Sequence, residues 1–338
     1  MRSVSVLVAL LIGGCSAAPQ ERPQELLFLA QDDGDLELFV AELGSKAATQ
    51  LTSNHRDEAS PSWSPDGKLI AYASAESNNY DIYTIAPDGS NRRQITRDSG
   101  NELQPAWSPD GRELAYLGVR EGRMTPLVVN LASGKTRVLG PVTGEANGIY
   151  WSPDGKFVAI PERVGHQHKR LLIMPADGSG TGFGVADEAG MEVLRLAWSP
   201  DSTRIAFSAF RKPSVDVYVA DVTSGLVAQL TDDPSIDTEP VWSPDGLKLA
   251  FVSSRDRGTE NQLYLMNPDG SDQVRASHSK HEEMDMSWSE DGRYLAFVRY
   301  QDRVFRAKVR DLNSSEEFEV YSSGEGLQFS PRFRPQVH

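Results

Sequence analysis

The chain has 338 residues, 39% hydrophobic and 24% charged, a balance that suits a folded globular protein and excludes both a disordered chain and a bundle of membrane spans. Its formal charge of −14 argues against a nucleic-acid partner, since neutralising phosphates takes a basic surface, and favours cationic partners instead. The single cysteine, Cys15, rules out an intramolecular disulfide.

Read from its start, the chain opens with Arg2 and an apolar run over residues 4–12. Such a run is too short to cross a bilayer as a helix but suits a secretory signal. Ile12-Gly13-Gly14-Cys15 follows and resembles the lipobox of bacterial lipoproteins, an aliphatic residue and two small ones before the cysteine that receives lipid. That resemblance implies cleavage before Cys15 and lipidation of its thiol. Residues 1–14 are then a signal peptide and residues 15–25 a lipidated tether, since residues 16–24 carry no apolar period. Ser16 in place of Asp after the cysteine implies, by the same resemblance, an outer-membrane site facing the periplasm in a diderm organism.

From residue 26 onward a repeat of about 44 residues governs the sequence. Trp63, Trp107, Trp151, Trp198, Trp242 and Trp288 each precede Ser, and an Asp stands three residues after each. Gly follows that Asp in every copy except at Ser202. An Ala lies eight residues after every Trp: Ala71, Ala115, Ala159, Ala206, Ala250 and Ala296. Ser-Pro-Asp-Gly is a tight turn, because Pro presets φ, Asp bonds to nearby backbone and Gly accepts positive φ. It joins the Trp strand to a second strand rich in aliphatic and aromatic residues, and the recurring Ala leaves room there for an indole of a facing unit. A third strand, a second turn such as Pro87-Asp88-Gly89 and a short fourth strand complete each unit. Four antiparallel strands per such repeat describe a propeller blade.

The two ends complement each other. Residues 26–52 carry the last three strands of a unit, and Ser330-Pro331-Arg332-Phe333 matches the first. Joined, they form one blade and remove two open sheet edges. The expectation is an all-β, seven-bladed propeller over residues 26–338, closed by pairing the C-terminal strand with the N-terminal blade, with six blades as the alternative.

The Trp-Ser-Pro-Asp-Gly repeat and the aliphatic-Ala-aromatic strand after it resemble the propeller of TolB-family proteins. The family's namesake places an α/β domain before six blades and binds the peptidoglycan-associated lipoprotein. The short tether after Cys15 and the seven apparent units here imply a family member other than that namesake. The repeat is also similar to the propeller of prolyl oligopeptidases, whose hydrolase domain and Gly-x-Ser-x-Gly elbow this sequence does not contain.

Five residues before Trp, four units carry a carboxylate: Glu58, Glu102, Asp237 and Glu283. First strands line a propeller's channel, so these residues read as a partial acidic ring at one mouth, a seat for a cationic protein or peptide. Glu239 and Asp285 lie close by in sequence. The alternative for a repeated polar residue is that it caps backbone N–H groups of its own repeat. His55, His166, His168, His278 and His281 fall in loops of the same face and are the candidate metal ligands, though coordination needs convergence that spacing alone does not supply.

These readings combine into a non-catalytic, lipid-anchored envelope propeller that binds an envelope protein or peptide and takes no cofactor. The competing expectation is a metal-dependent, carbohydrate-active propeller of the polysaccharide-lyase kind holding a divalent cation, or a sugar-binding module. The anchor is tested directly. Replacing Cys15 with Ala should move the protein from the membrane to the soluble fraction without unfolding it. Wild type already soluble after cell breakage, or a mature N-terminus other than residue 15, would defeat the idea.

Overall fold

The computed structural model describes residues 24–32, 34–45, 47–76, 78–140, 144–164, 169–187, 190–256, 260–321 and 327–336, and every regular element in them is a β-strand. Cys15, the leader, His166 and His168 lie outside the described residues.

The turn is built as its composition demands. Ser64 Oγ donates to Asp66 over 2.7 Å and accepts the Leu69 N–H over 2.9 Å, while Asp66 accepts the Lys68 N–H. Gly67 supplies the left-handed residue at φ 63°. The Ser–Asp bond recurs in the other five copies at 2.5–2.7 Å. Ser202, the copy without Gly, takes φ 62° all the same. Its hydroxyl accepts the Asp154 N–H of the adjacent turn over 2.9 Å, a partner that glycine would not provide.

Each turn sends the chain into an antiparallel blade. In the Trp63 blade, Glu58–Trp63, Ile70–Ser74, Asp81–Ile85 and Arg93–Gln94 pair in that order. The Trp107, Trp242 and Trp288 blades repeat it. The Trp151 and Trp198 blades are joined into one nine-stranded sheet by a single parallel pair, Lys169 with Glu192. The Trp151 blade also breaks its first strand into Glu145–Ala146 and Tyr150–Trp151. The last blade is shared between the termini: Gln328–Phe333 pairs with Glu25–Asp32, matching Leu26 to Phe333 and Ala30 to Gln328. By strand pairing, the described strands form five four-stranded sheets and one nine-stranded sheet that holds the Trp151 and Trp198 units.

What joins blade to blade is the indole. Trp107 Nε1 donates to the carbonyl of Ser62, Trp151 to Ala106, Trp198 to Tyr150, Trp242 to Ala197 and Trp288 to Val241, at 2.9–3.3 Å. Each acceptor is the residue just before the preceding blade's Trp. Trp63 donates in the same way to Arg332, just before Phe333, over 3.1 Å. The recurring Ala takes its expected place, since Ala71 shares a core cluster with Trp107, Ala159 with Trp198 and Ala206 with Trp242. The core is thus a series of inter-blade layers, each walled by two neighbouring sheets.

Phe333 stands where a seventh indole would be and has no N–H to give. It packs with Ala296 and Tyr294, and Ser287 Oγ donates to the Pro331 carbonyl over 2.8 Å. Deleting residues 327–338 should remove this seam and leave the edge of Glu25–Asp32 unpaired. Aggregation and a markedly lower melting temperature are expected, because an exposed long edge recruits other chains. A truncated protein that stays monomeric and melts like wild type would contradict the closed ring.

Candidate functional site

The four repeated carboxylates do not form an acidic mouth. Glu58, Glu102, Asp237 and Glu283 are all fully buried. Glu58 accepts from Asn54 Nδ2 at 2.8 Å, Ser74 Oγ at 2.9 Å and Thr52 Oγ1 at 3.2 Å. Asp237 is held by Arg255 at 2.9 Å and Glu283 by Arg299 Nε at 3.0 Å, while Glu102 lies 3.5 Å from Arg120. The expectation of an exposed ring is corrected by strand geometry. Residues five before Trp turn into the seam between blades, where they meet the start of the preceding blade's third strand.

That meeting places acid against acid. Glu58 faces Glu37, and Glu102 faces Asp81. Burial, reinforced by Glu37, pushes the Glu58 carboxyl up to about 8. Burial and the nearby Asp98 and Asp81 push Glu102 up to about 7. Burial beside a second acid thus favours the protonated form of Glu58 and Glu102.

His55 and His278 are exposed and His281 half-buried. No group of three or more His, Cys, Asp or Glu side chains is placed to hold a metal among the described residues.

The channel itself is lined two residues further along each first strand. Every complete first strand slips register there, for example between Ala59 and Ser62 and between Met284 and Ser287. Such a bulge re-aims one side chain. The residues three before Trp, or before Phe333, are Ser60, Gln104, Gly148, Arg195, Glu239, Asp285 and Ser330, and all line one cavity of about 520 Å³. Five of them, none a glycine, hold left-handed backbone: Ser60, Gln104, Glu239, Asp285 and Ser330, at φ 52–55°. Residues in that region cost about 1–3 kcal/mol each unless their surroundings fix them.

The charges gather on one side of this ring. Glu239 Oε2 accepts the Asp285 N–H over 2.7 Å, and Asp285 Oδ2 accepts the Ser330 N–H over 2.9 Å, so each carboxylate caps the next blade's bulge. Arg332 reaches Asp285 Oδ1 over 2.7 Å. Burial raises the Tyr150 phenol against the pull of the nearby Arg195 guanidinium. Burial also raises the Glu239 carboxyl, opposed by the Asp285 N–H and by Arg195 and Arg332. The arrangement offers both signs of charge inside a walled polar channel. The sequence held a signal for it: four consecutive repeats (from Trp198 through Phe333) carry Arg, Glu, Asp and Ser at one repeat position, where a residue serving only the repeat would be constant.

The buried acids yield a test. Between about pH 4.5 and 8 native Glu58 keeps a proton that the unfolded chain has released, so its contribution to stability is complete below that window and is lost as pH rises through it. Melting temperature should therefore fall from about pH 5 to pH 8, and Glu58→Gln should flatten that fall. Identical slopes for the two proteins in thermal melts would refute the assignment.

Comparison with known proteins agrees with this architecture. The family model described as the TolB beta propeller domain matches residues 7–182 and 180–337. A Tol-Pal system protein TolB from Francisella tularensis subsp. mediasiatica is 31% identical over 71 residues, a match spanning 21% of this chain and only 16% of that protein. The crystal structure of TolB from Acinetobacter baumannii superposes with a TM-score of 0.61 at 18% identity, over 93% of this chain and 67% of that one. An oligogalacturonate lyase in complex with manganese gives 0.66 at 16% identity, over 88% and 85%. A puromycin hydrolase gives 0.72 at 14% identity, over 88% of this chain and 52% of that one. At such identities the structural likeness concerns the fold alone. With the repeat, the blades and the family match in agreement, the chain belongs to the TolB beta propeller domain family.

Proposed function

We propose that this protein is a non-catalytic binding propeller of the bacterial cell envelope, tethered through lipid on Cys15, that receives a segment of a partner protein or peptide in its central channel. The observation that carries the reading is the charged side of the channel, where Arg195, Glu239, Asp285 and Arg332 are set on bulged strands around a cavity of about 520 Å³. Rigid strands hold such groups in place before a ligand arrives, which lowers the ordering cost of binding. Membership of the TolB propeller family and the similarity to a Tol-Pal system protein support an envelope location. The net charge of −14 still favours the approach of a basic partner, but Glu58, Glu102, Asp237 and Glu283 serve the seams and do not touch it.

Gln104 is exposed on the channel wall, and Gln104→Trp should fill the space without disturbing the seams. A partner captured from solubilised membranes by wild type should be lost with this variant while melting temperature stays unchanged. Equal capture of that partner by the variant would refute the channel as the binding site. Turnover of an oligouronide on addition of manganese would instead favour the carbohydrate-active alternative.

A further inference from the structure

Arg195 narrows the chemistry that the channel recognises. Of the two channel arginines, Arg332 is paired with Asp285. No carboxylate lies within salt-bridge distance of Arg195 among the described residues, and the side chain is exposed to the cavity. The Tyr150 side chain lines the cavity with it, near enough for the guanidinium to act on the phenol. Burial keeps the proton on that phenol, so both groups have donors to offer a ligand.

Gly148 shows how closely this corner is built. A Cβ at that position would lie 2.7 Å from Tyr150 Cε2 and 3.2 Å from its hydroxyl, too near for any side chain. The tyrosine ring therefore lies across the Gly148 backbone, and glycine is what lets its hydroxyl sit beside Arg195. Glu239 follows on the next blade with only one oxygen accepting the Asp285 N–H. The corner thus combines one unpaired cation, a hydroxyl donor and a flanking carboxylate acceptor.

We propose that this corner seats a peptide carboxylate, its oxygens meeting Arg195 and the Tyr150 hydroxyl and the adjacent peptide N–H donating to Glu239. The proposal rests on the channel being the binding site. Glu239 and Asp285 leave room for a single negative charge, since a phosphate dianion would meet two carboxylates for one unpaired cation. Met284, Val298 and Phe329 line the same cavity and give apolar side chains of a peptide a surface to cover.

Three acetylated tripeptides test it on the full chain by calorimetry: trialanine with a free C-terminus, trialanine amide, and Ala-Asp-Ala amide. The free acid or the Asp peptide should bind and the neutral amide should not, and the stronger of the two acids identifies a chain terminus or a side chain as the source. Arg195→Gln should weaken that binding about tenfold to a hundredfold, the loss of one charge-assisted contact. Tyr150→Phe should weaken it less, and Arg195→Lys should restore part of it. Melting temperature should not change with Arg195→Gln, because the side chain supports no seam. Equal binding of the neutral amide, no binding of either acid, or undiminished binding by Arg195→Gln would each overturn the proposal. Galacturonate binding with both acids silent would also overturn it, in favour of a sugar acid. If Gln104→Trp loses the captured partner while Arg195→Gln keeps it, the channel reading stands and the carboxylate seat falls.

Discussion

Each blade that carries a Trp is fastened to the blade before it by one directed bond, an indole N–H given to the carbonyl just before that preceding blade's own aromatic residue. An amide-type bond of this kind contributes only about 0.5–1.5 kcal/mol net, so its importance lies in direction more than in strength. The bond fixes which part of the preceding first strand each Trp meets. That choice sets the angle between sheets, the room beside each recurring Ala and the line along which first strands face the channel. Leaving an indole N–H unpaired in these layers would cost more than the bond supplies, so the geometry is enforced from both sides.

The same regularity explains why the fold was legible in sequence and the site was not. Trp, Ser, Asp and Ala at constant offsets are residues that serve the repeat, and they announce blade, turn and inter-blade packing together. The exchange of strands between the termini was legible because each end lacked what the other carried. Glu58 and its counterparts misled by the same logic, for their recurrence marked a duty within the repeat. Period-two alternation alone does not say whether a first-strand residue turns to the seam or to the channel. The bulge decides it, and a bulge comes from backbone register that no single residue type encodes. The channel residues differ from blade to blade, so Arg195 and Glu239 stood out only against a strand geometry that the sequence did not reveal.

Two polar systems with opposite demands therefore run side by side through the first strands. In the seams, Glu58 and Glu102 are buried acids pressed against other acids and hydrogen-bonded to Thr, Ser and Asn or close to Arg. They keep adjacent sheets at a fixed spacing and gain nothing from exposure. Two residues further on, the channel groups sit on left-handed backbone, and some of them make only part of the contacts they are able to make. Strain of that kind persists when a rigid frame fixes it, and the indole-linked ring is such a frame.

The pairing of Leu26 with Phe333 has a consequence for how the molecule is made. Residues some three hundred positions apart must meet before the shared sheet exists, so the first of the described strands to be synthesised waits for the last of them. The entropic cost of closing so long a loop grows only with the logarithm of its length, and most of it vanishes once the intervening blades have stacked. The delay is therefore one of order more than of energy. Until Gln328–Phe333 has been made, a growing chain carries an unmatched three-stranded sheet at one end and a bare seam at the other. Both would attract identical nascent chains, and closure from its own far end is what makes the finished ring indifferent to them.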